Sequence, residues 1–212
     1  MLDARRGLVG AMMSNQIAAV HGRRLLKLVR ETIGQRLGLV EAVDQCDLGG
    51  EELNQDLATF VTLKIDGRLR GCIGNLEPTG PLLGSLTQNA RHAAFNDHRF
   101  SPLSKEEFQR VRIDISILSR PALLHYDDGN DLLAKLRPGT DGVILKKGKA
   151  RATFLPQVWK QLPQPRLFME HLCQKAGLAP MAWRDKDIEI YLYQVQSFDE
   201  ETDAVESYPR AD

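Results

Sequence analysis

The sequence predicts a single α+β domain built from helices and antiparallel strands. Three observations support this fold class: a long helical pattern near the amino end, a β-hairpin after it, and a strictly alternating strand near the middle. We expect the domain to cover residues 15–198. Residues 1–14 are predicted as a disordered extension, and residues 199–212 as a disordered acidic tail.

The first folded element is predicted as a helix from about Asn15 to Leu37. Apolar residues recur there at helical spacing, and basic residues occupy most of the other face. Gly38 follows as the stop signal. A hairpin comes next, because residues 58–65 are rich in β-branched and aromatic side chains and are followed by an Asp-Gly turn signal.

Further elements are predicted along the rest of the chain. A helix covers residues 82–96, and apolar residues alternate with polar ones over residues 111–117, which marks the clearest half-buried strand. The remaining predictions are helices at 130–136 and 166–176, and strands at 142–147, 153–154 and 188–198.

The composition restricts the class of function. The 28 basic and 28 acidic residues balance, whereas a dedicated nucleic-acid binder normally carries a basic excess. No apolar run approaches the roughly 18 residues of a transmembrane helix. The run near the start is too short for a secretory signal.

The cysteines and histidines favour neither a disulfide framework nor a metal site. Cys46, Cys72 and Cys173 are widely separated, so we expect free thiols in the reducing cytoplasm. The histidines have no ligand spacing, and no dinucleotide or phosphate-loop fingerprint is present. Neither a metal nor a cofactor is therefore predicted.

The returning strand of the hairpin holds the strongest candidate site. Strand alternation places Arg68, Arg70 and Cys72 on one face, with consecutive members roughly 7 Å apart. A guanidinium at that range would favour the thiolate, so Cys72 and Arg70 are the predicted catalytic pair. Gly71 and Gly74 flank the thiol, and a strand glycine often marks close approach of a ligand or another backbone.

The turn decides which residues of the first strand share this face. A three-residue loop with Gly67 in the left-handed conformation would place Thr62 and Lys64 beside the Arg/Cys face. A strict two-residue loop would place the apolar residues of that strand there instead. The polar pattern favours the first alternative, and with it a polar pocket.

Cys72 also has a purely structural interpretation, because free cysteines are among the most buried residues and are usually inert. Asp97 and Arg99 are predicted to reach a cleft at Cys72 and to orient a substrate there. Both residues would also suit a surface ion pair. Residues 153–159 are expected to form a second wall of this cleft, and Gln157 is the polar residue of that segment. The predicted substrate-binding residues are Arg68, Gly71, Gly74, Asp97, Arg99 and Gln157.

Basic residues also cluster at residues 146–151. Such a cluster is usually a solvated strand edge that discourages pairing. Binding of RNA or phosphate there is the lesser alternative, given the neutral total charge.

Several segments, in order, carry a pattern that points to a known family. They are Thr59–Leu63, the hexapeptide Leu69–Gly74, residues 93–100 with the order Ala-Ala-Phe-Asn-Asp-His-Arg-Phe, and residues 113–119 and 153–159. They resemble the AMMECR-type domain, the component called protein A in the AmmeMemoRadiSam grouping. The resemblance covers about residues 15–198, and His98 stands where the family pattern has proline.

The resemblance implies an antiparallel β-sheet flanked by helices, with a smaller second lobe and the hexapeptide near a cleft between the two. It implies no reaction. It also suggests a pathway shared with a Memo-like protein and a radical SAM protein, which are the expected partners. The chain itself has no C-x-x-x-C-x-x-C motif, so it is not the radical enzyme.

Two functional hypotheses result. In the first, the hexapeptide forms a thiol-dependent enzyme site or small-molecule site around Cys72. In the second, the same surface belongs to a non-catalytic interaction or regulatory module that binds a protein partner through Arg68 and Arg70.

Overall fold

The computed structural model describes residues 17–40 and 51–201. These residues form two compact units, each named here by one of its residues. The Cys72 unit contains the described residues up to Leu118 together with residues 196–201, and the Trp183 unit contains residues 119–195. Predictions about residues 1–16, 41–50 and 202–212, including Cys46, lie outside the described residues.

Helices and strands are interspersed along the chain. The helices are α1 (Ala19–Arg36), α2 (Leu82–Phe95), α3 (Lys105–Phe108), α4 (Gly129–Lys135) and α5 (Pro165–Lys175). The strands are β1 (Ala58–Ile65), β2 (Arg68–Gly74), β3 (Arg112–Leu118), β4 (Ala122–Leu123), β5 (Gly142–Lys147), β6 (Ala150–Phe154), β7 (Glu189–Tyr193) and β8 (Val195–Asp199). Short 3-10 turns lie at Glu51–Asn54, Pro156–Lys160 and Ala182–Arg184.

The Cys72 unit has a sheet in the order β2-β1-β3-β8, in which β1 is antiparallel to both of its neighbours. Apolar side chains of β1 and β3 alternate into the core, and the apolar faces of α1 and α2 cover them. The fully buried residues include Leu25, Val61, Leu86 and Ile115. Strand β2 lies at one edge of this sheet.

The Trp183 unit has a second antiparallel sheet, in the order β4-β7-β5-β6. Its core contains Trp183, Phe168 and Leu145, together with Cys173 from α5. Burial raises the pKa of the Cys173 thiol. Antiparallel sheets flanked by helices in both units confirm the predicted α+β class.

The strand predicted over residues 188–198 is two strands. Strand β7 belongs to the Trp183 sheet and β8 to the Cys72 sheet, with Gln194 between them. The backbone N–H of Gln194 donates to the Ser119 hydroxyl, and the Ser119 N–H donates to the Gln194 carbonyl. These hydrogen bonds satisfy the backbone N–H and carbonyl groups of Gln194, the residue between the two strands.

The predicted acidic tail begins too early. Asp199 ends β8, and Glu200 is buried with only 7% of its surface exposed. The Glu200 carboxylate accepts hydrogen bonds from Arg30 Nε at 2.6 Å and from the Ile113 backbone N–H at 3.0 Å. The folded chain therefore includes Glu200, which the sequence placed in the tail because of its charge.

Within the described residues, no helix is both long enough and apolar enough to cross a lipid bilayer.

Candidate functional site

Thr62 lies opposite Cys72. The hairpin has neither the three-residue turn predicted to bring them together nor the uninterrupted pairing expected after a two-residue turn. Asp66 and Gly67 both have positive φ values, 51° and 73°, and Ile65 pairs with Arg68 across them. This is the geometry of a two-residue hairpin turn. On its own it would have placed the apolar residues of β1 beside Cys72.

A β-bulge then changes the pairing. Lys64 pairs with Leu69 but Leu63 pairs with Gly71, so Arg70 is the extra residue of β2. The bulge shifts the register by one residue, and Thr62 therefore faces Cys72. The predicted polar neighbour is confirmed, although the three-residue loop that was to produce it is absent.

The same bulge separates the residues that the sequence placed on one face. Arg68 is opposite Ile65, whereas Cys72 is opposite Thr62, and Ile65 and Thr62 point to opposite faces of β1 because they are three residues apart. The prediction that Arg68 shares a face with Cys72 is wrong. Strict alternation fails there because the bulge inserts one residue between them.

Cys72 is half-buried, and both its thiol and its backbone have specific partners. The Thr62 hydroxyl donates to Cys72 Sγ at 3.3 Å. The Cys72 backbone N–H donates to Asp97 Oδ2 at 2.9 Å, and Arg99 Nη2 donates to the Cys72 carbonyl at 3.2 Å. Three side chains from two other segments therefore converge on one residue of β2.

Asp97 and Arg99 occupy the place of a neighbouring strand at the edge of the sheet. In a pair without hydrogen bonds between its two residues, the backbone N–H and C=O of each point away from the partner strand. At Cys72 these outward groups bind the Asp97 carboxylate and the Arg99 guanidinium. An exposed edge would otherwise be open to pairing with another chain.

The Asp97–Arg99 pair is partly buried. Only 2% of the Asp97 side chain is exposed, compared with 46% of the Arg99 side chain. Arg99 Nε and Nη2 donate to the two Asp97 oxygens at 2.9 and 2.6 Å. These bonds hold the pKa of the Asp97 carboxyl well below its usual range, and the backbone N–H groups of Cys72 and Arg99 lower that pKa further.

Arg70 is engaged away from the thiol. Its Nε and Nη2 donate to the two oxygens of Glu107, each at 2.8 Å, and Nη2 also donates to the Ser101 carbonyl at 2.9 Å. The Arg70 hydrogen bonds lower the pKa of Glu107. Arg70 has no hydrogen bond to Cys72 among the described residues, whereas Arg99 donates to the Cys72 carbonyl and interacts with Cys72 electrostatically. Arg99 is therefore the cation better placed to act on Cys72.

Phe100 links the two arginines. Its ring centroid lies 5.7 Å from Arg70 Cζ and 5.5 Å from Arg99 Cζ. Sequence reasoning missed Phe100, Glu107 and Ser101 as site residues. The sequence does carry a pattern that includes Glu107, the capping box that it forms with Ser104 at the start of α3. That pattern predicts the start of a helix and not a contact with Arg70.

Close contacts within the protein explain why glycine occupies positions 71 and 74. A Cβ on Gly71 would lie 2.2 Å from the Ala93 carbonyl oxygen of α2. A Cβ on Gly74 would lie 2.3 Å from the Phe60 ring and 2.4 Å from the Thr59 carbonyl oxygen. A strand glycine often marks the close approach of a ligand or of another backbone. At Gly71 the close neighbour is the backbone of α2. The predicted role of these glycines in binding a substrate gains no support.

Gln157 lies in the Trp183 unit, on the 3-10 turn Pro156–Lys160, and is exposed. Its neighbour Trp159 is a core residue, which stacks on Phe168 with ring centroids 3.7 Å apart and donates to the Asp141 carbonyl. The binding role of Gln157 stays a prediction.

The basic cluster at residues 146–151 is partly paired with other side chains. Lys147 Nζ lies 2.5 Å from Asp185 and 3.1 Å from Asp187, and Lys146 Nζ lies 4.6 Å from the Tyr191 ring centroid. Such pairing weakens the case for RNA binding at this hairpin. Among residues 17–40 and 51–201, no group of three or more His, Cys, Asp or Glu side chains is arranged to hold a metal ion.

Comparison with known proteins agrees with this architecture. The AMMECR1 family model matches residues 26–198. The chain belongs to the AMMECR1 family.

Relatives of the AMMECR1-family chain occur in archaea. A protein of Methanothermobacter thermautotrophicus is 35% identical over 181 residues, which cover 85% of this chain and 94% of that protein. Protein MK0488 of Methanopyrus kandleri is 33% identical over 197 residues, covering 89% of this chain and 93% of that protein. The crystal structure of the uncharacterised protein PH0010 from Pyrococcus horikoshii matches with a TM-score of 0.71 and 31% identity, over 87% of this chain and 94% of that chain.

Asp97→Asn is expected to lower the free energy of unfolding by about 2 kcal/mol near neutral pH, because it removes the charge that binds Arg99 and the Cys72 N–H. The folded-state pKa of Asp97 lies below its unfolded value. This contribution is therefore complete above about pH 4, the unfolded pKa, and is lost as the pH falls through the folded pKa. Urea unfolding of both proteins at several pH values measures the difference, which should shrink in acid.

Asp66→Asn is the matched control, because Asp66 also binds an arginine at 2.6 Å but the pair is exposed. We expect this control to change the free energy of unfolding by less than about 1 kcal/mol. Equal losses in the two variants would show that the buried position of Asp97 contributes nothing.

Proposed function

We propose that this AMMECR1-family chain has a reactive thiol at Cys72, in a site that binds a small molecule at the edge of the Cys72 sheet. In the proposed reaction the thiol proton passes to solvent and the thiolate sulfur adds to a carbonyl carbon of the substrate. The carbon–oxygen π bond breaks, its electron pair moves to the carbonyl oxygen, and that oxygen takes a proton from solvent. The observation that carries the proposal is the hydrogen bond from the Thr62 hydroxyl to Cys72 Sγ. A fixed hydroxyl donor stabilises negative charge on the atom that it faces.

Arg99 is the proposed substrate-orienting residue. Its hydrogen bonds within the described residues use Nε and Nη2, which leaves Nη1 for an anionic or carbonyl group of a substrate. Asp97 fixes the direction of the guanidinium, and nearly half of the Arg99 side chain is exposed. In this proposal Arg70 and Glu107 are positioning residues, because they hold the loop that carries Arg99 through the Ser101 carbonyl.

The second candidate function is a non-catalytic interaction module. It is favoured by exposed apolar side chains in and just after β2, since Leu69 is 45% exposed and Leu76 is 37% exposed. A Memo-like protein and a radical SAM protein, acting in a shared pathway, are the partners proposed from the family resemblance. In that case Cys72 serves only to pack β2.

The rate of alkylation by iodoacetamide tests the reactive thiol. The background carries Cys46→Ser, so that Cys72 and the buried Cys173 are the remaining thiols. We expect peptide mass spectrometry to show Cys72 labelled much faster than Cys173. We also expect Thr62→Val to slow the labelling of Cys72 about fivefold, the equivalent of one hydrogen bond of about 1 kcal/mol.

Thr153→Val is the control for the loss of a strand hydroxyl. Thr153 lies on β6 of the Trp183 unit, and its hydroxyl is 3.1 Å from the Tyr193 hydroxyl. It should leave the labelling of Cys72 unchanged. If Thr62→Val labels as fast as the background protein, the thiol is not activated by Thr62, and the interaction module becomes the better proposal.

A further inference from the structure

A concave surface of the Cys72 unit lies between the ends of α1 and α2, and none of its described lining residues is one that hydrogen-bonds to Cys72. Its volume is about 590 Å³, and a smaller depression of about 220 Å³ adjoins it. Arg36 and Arg91 line both depressions and so form the border between them. A volume of this size falls within the range of about 300–1,000 Å³ that is usual for small-molecule sites.

The charged side chains in the described lining of this groove, Arg36 and Arg91, are both positive. Arg36, Arg91 and His92 line it, and none of its described lining residues is Asp or Glu. Other arginines of the unit bind carboxylates, as Arg30 and Arg110 do. Among the described residues the groove therefore presents cationic donors without a carboxylate, and such a surface attracts an anion.

Part of the lining of the groove is apolar. Phe95 and Leu103 line it together with Leu37 and Pro102. The position of Leu103 is fixed, because it is buried and its backbone N–H donates to the Ala94 carbonyl at 2.8 Å. The wall therefore offers a preformed surface for an apolar or planar group attached to the anion.

We propose that this groove binds an organic phosphate monoester, a site separate from the proposed thiol chemistry. The phosphate lies against Arg36 and Arg91, and its organic group packs on Phe95. A dianionic phosphate matches two guanidinium groups and a nearby imidazole better than a carboxylate does, because it has three acceptor oxygens for several N–H donors.

The test is an NMR titration of the full chain with phenyl phosphate, which carries both halves of the proposed ligand. We expect saturable shifts at the amides of Phe95, Asn96 and Leu103, and weaker binding of both inorganic phosphate and benzoate. Arg91→Ala should weaken the binding of phenyl phosphate at least tenfold. Arg24→Ala is the matched control, because Arg24 is an exposed arginine of α1 outside the groove, and it should leave the binding unchanged.

Three outcomes would overturn the proposal. One is the absence of saturable shifts at millimolar phenyl phosphate. Another is equal weakening by Arg91→Ala and Arg24→Ala, which would show non-specific attraction to surface charge. The third is equal affinity for inorganic and phenyl phosphate, which would remove the role of the apolar wall. None of these results depends on the reactivity of Cys72, so failure here leaves the proposed thiol function to its own test.

Discussion

Glu200→Gln is expected to lower the free energy of unfolding of the Cys72 unit by about 3–5 kcal/mol, the cost of removing one partner from a buried ion pair. Only 12% of the Arg30 side chain and 3% of the Glu200 side chain are exposed. Without the carboxylate, Arg30 would keep its bonds to the Phe108 and Val111 carbonyls but lose its counter-charge. The loss arises from an uncompensated charge in a place that water barely reaches.

The measurement must report on the correct unit. Both tryptophans, Trp159 and Trp183, lie in the Trp183 unit, so their fluorescence would not follow the unfolding of the Cys72 unit. Urea unfolding followed by far-ultraviolet circular dichroism, with amide hydrogen exchange at α1 and β3, reports the relevant transition. Glu201→Gln is the matched control, because its position is exposed. A loss no larger than that of the control would contradict the stabilising role of Glu200.

Gly71→Ala is expected to lower the free energy of unfolding by about 3 kcal/mol, at the upper end of the usual cost of overpacking. The new Cβ would lie 2.2 Å from the Ala93 carbonyl oxygen. Because that atom belongs to the backbone of α2, no side chain can move aside, and the helix or β2 must shift as a whole. The same shift would displace Cys72, so its labelling rate should change as well.

Gly84→Ala tests whether the loss of a glycine alone matters. Gly84 is an exposed residue of α2, and a Cβ there would meet nothing within 4 Å. We expect this variant to gain up to about 1 kcal/mol, because alanine is a better helix former than glycine. Urea unfolding of both variants makes the comparison. A small loss at Gly71 would mean that α2 adjusts its position easily.

The contacts around Cys72 give a physical reason for two segments of the family pattern to occur together. The hexapeptide contributes Cys72 and Arg70, and the segment after α2 contributes Asp97 and Arg99. Asp97 and Arg99 bind the backbone of Cys72, and Arg70 binds the carbonyl of Ser101 just beyond that segment. Neither segment completes the edge of the sheet without the other. The labelling rate of Cys72 distinguishes a reactive site from a purely structural unit.

The register at Cys72 shows where prediction from local patterns stops. The Asp-Gly turn is a reliable signal, and β1 covers the predicted residues 58–65. The bulge at Arg70 left no mark on the hydrophobic pattern, because Arg68, Leu69 and Arg70 are exposed or half-buried and the buried Gly71 has no side chain. One inserted residue was enough to separate Arg68 from Cys72.

Polar residues were misplaced when their partners were distant in the chain. The polar side chain of Asn89 in α2 suggests an exposed position, yet Asn89 is buried and donates to the Thr59 carbonyl and hydroxyl. Glu200 was assigned to a disordered tail, yet it pairs with Arg30, which lies 170 residues earlier. A burial prediction based on polarity cannot include a partner that only the folded chain brings near.

The sequence by itself determined the fold class, most of the helices and strands, and the segment on which the candidate site lies. These features depend on periodicity, turn residues and the order of motifs, all of which are local properties of a chain. Only the tertiary structure decided that Arg99 and Thr62 contact Cys72 and that Arg70 is engaged by Glu107. It also showed that the backbone of α2 fills the space beside Gly71. These outcomes depend on which distant groups satisfy one another's charges and hydrogen bonds, and that is settled only when the segments pack together.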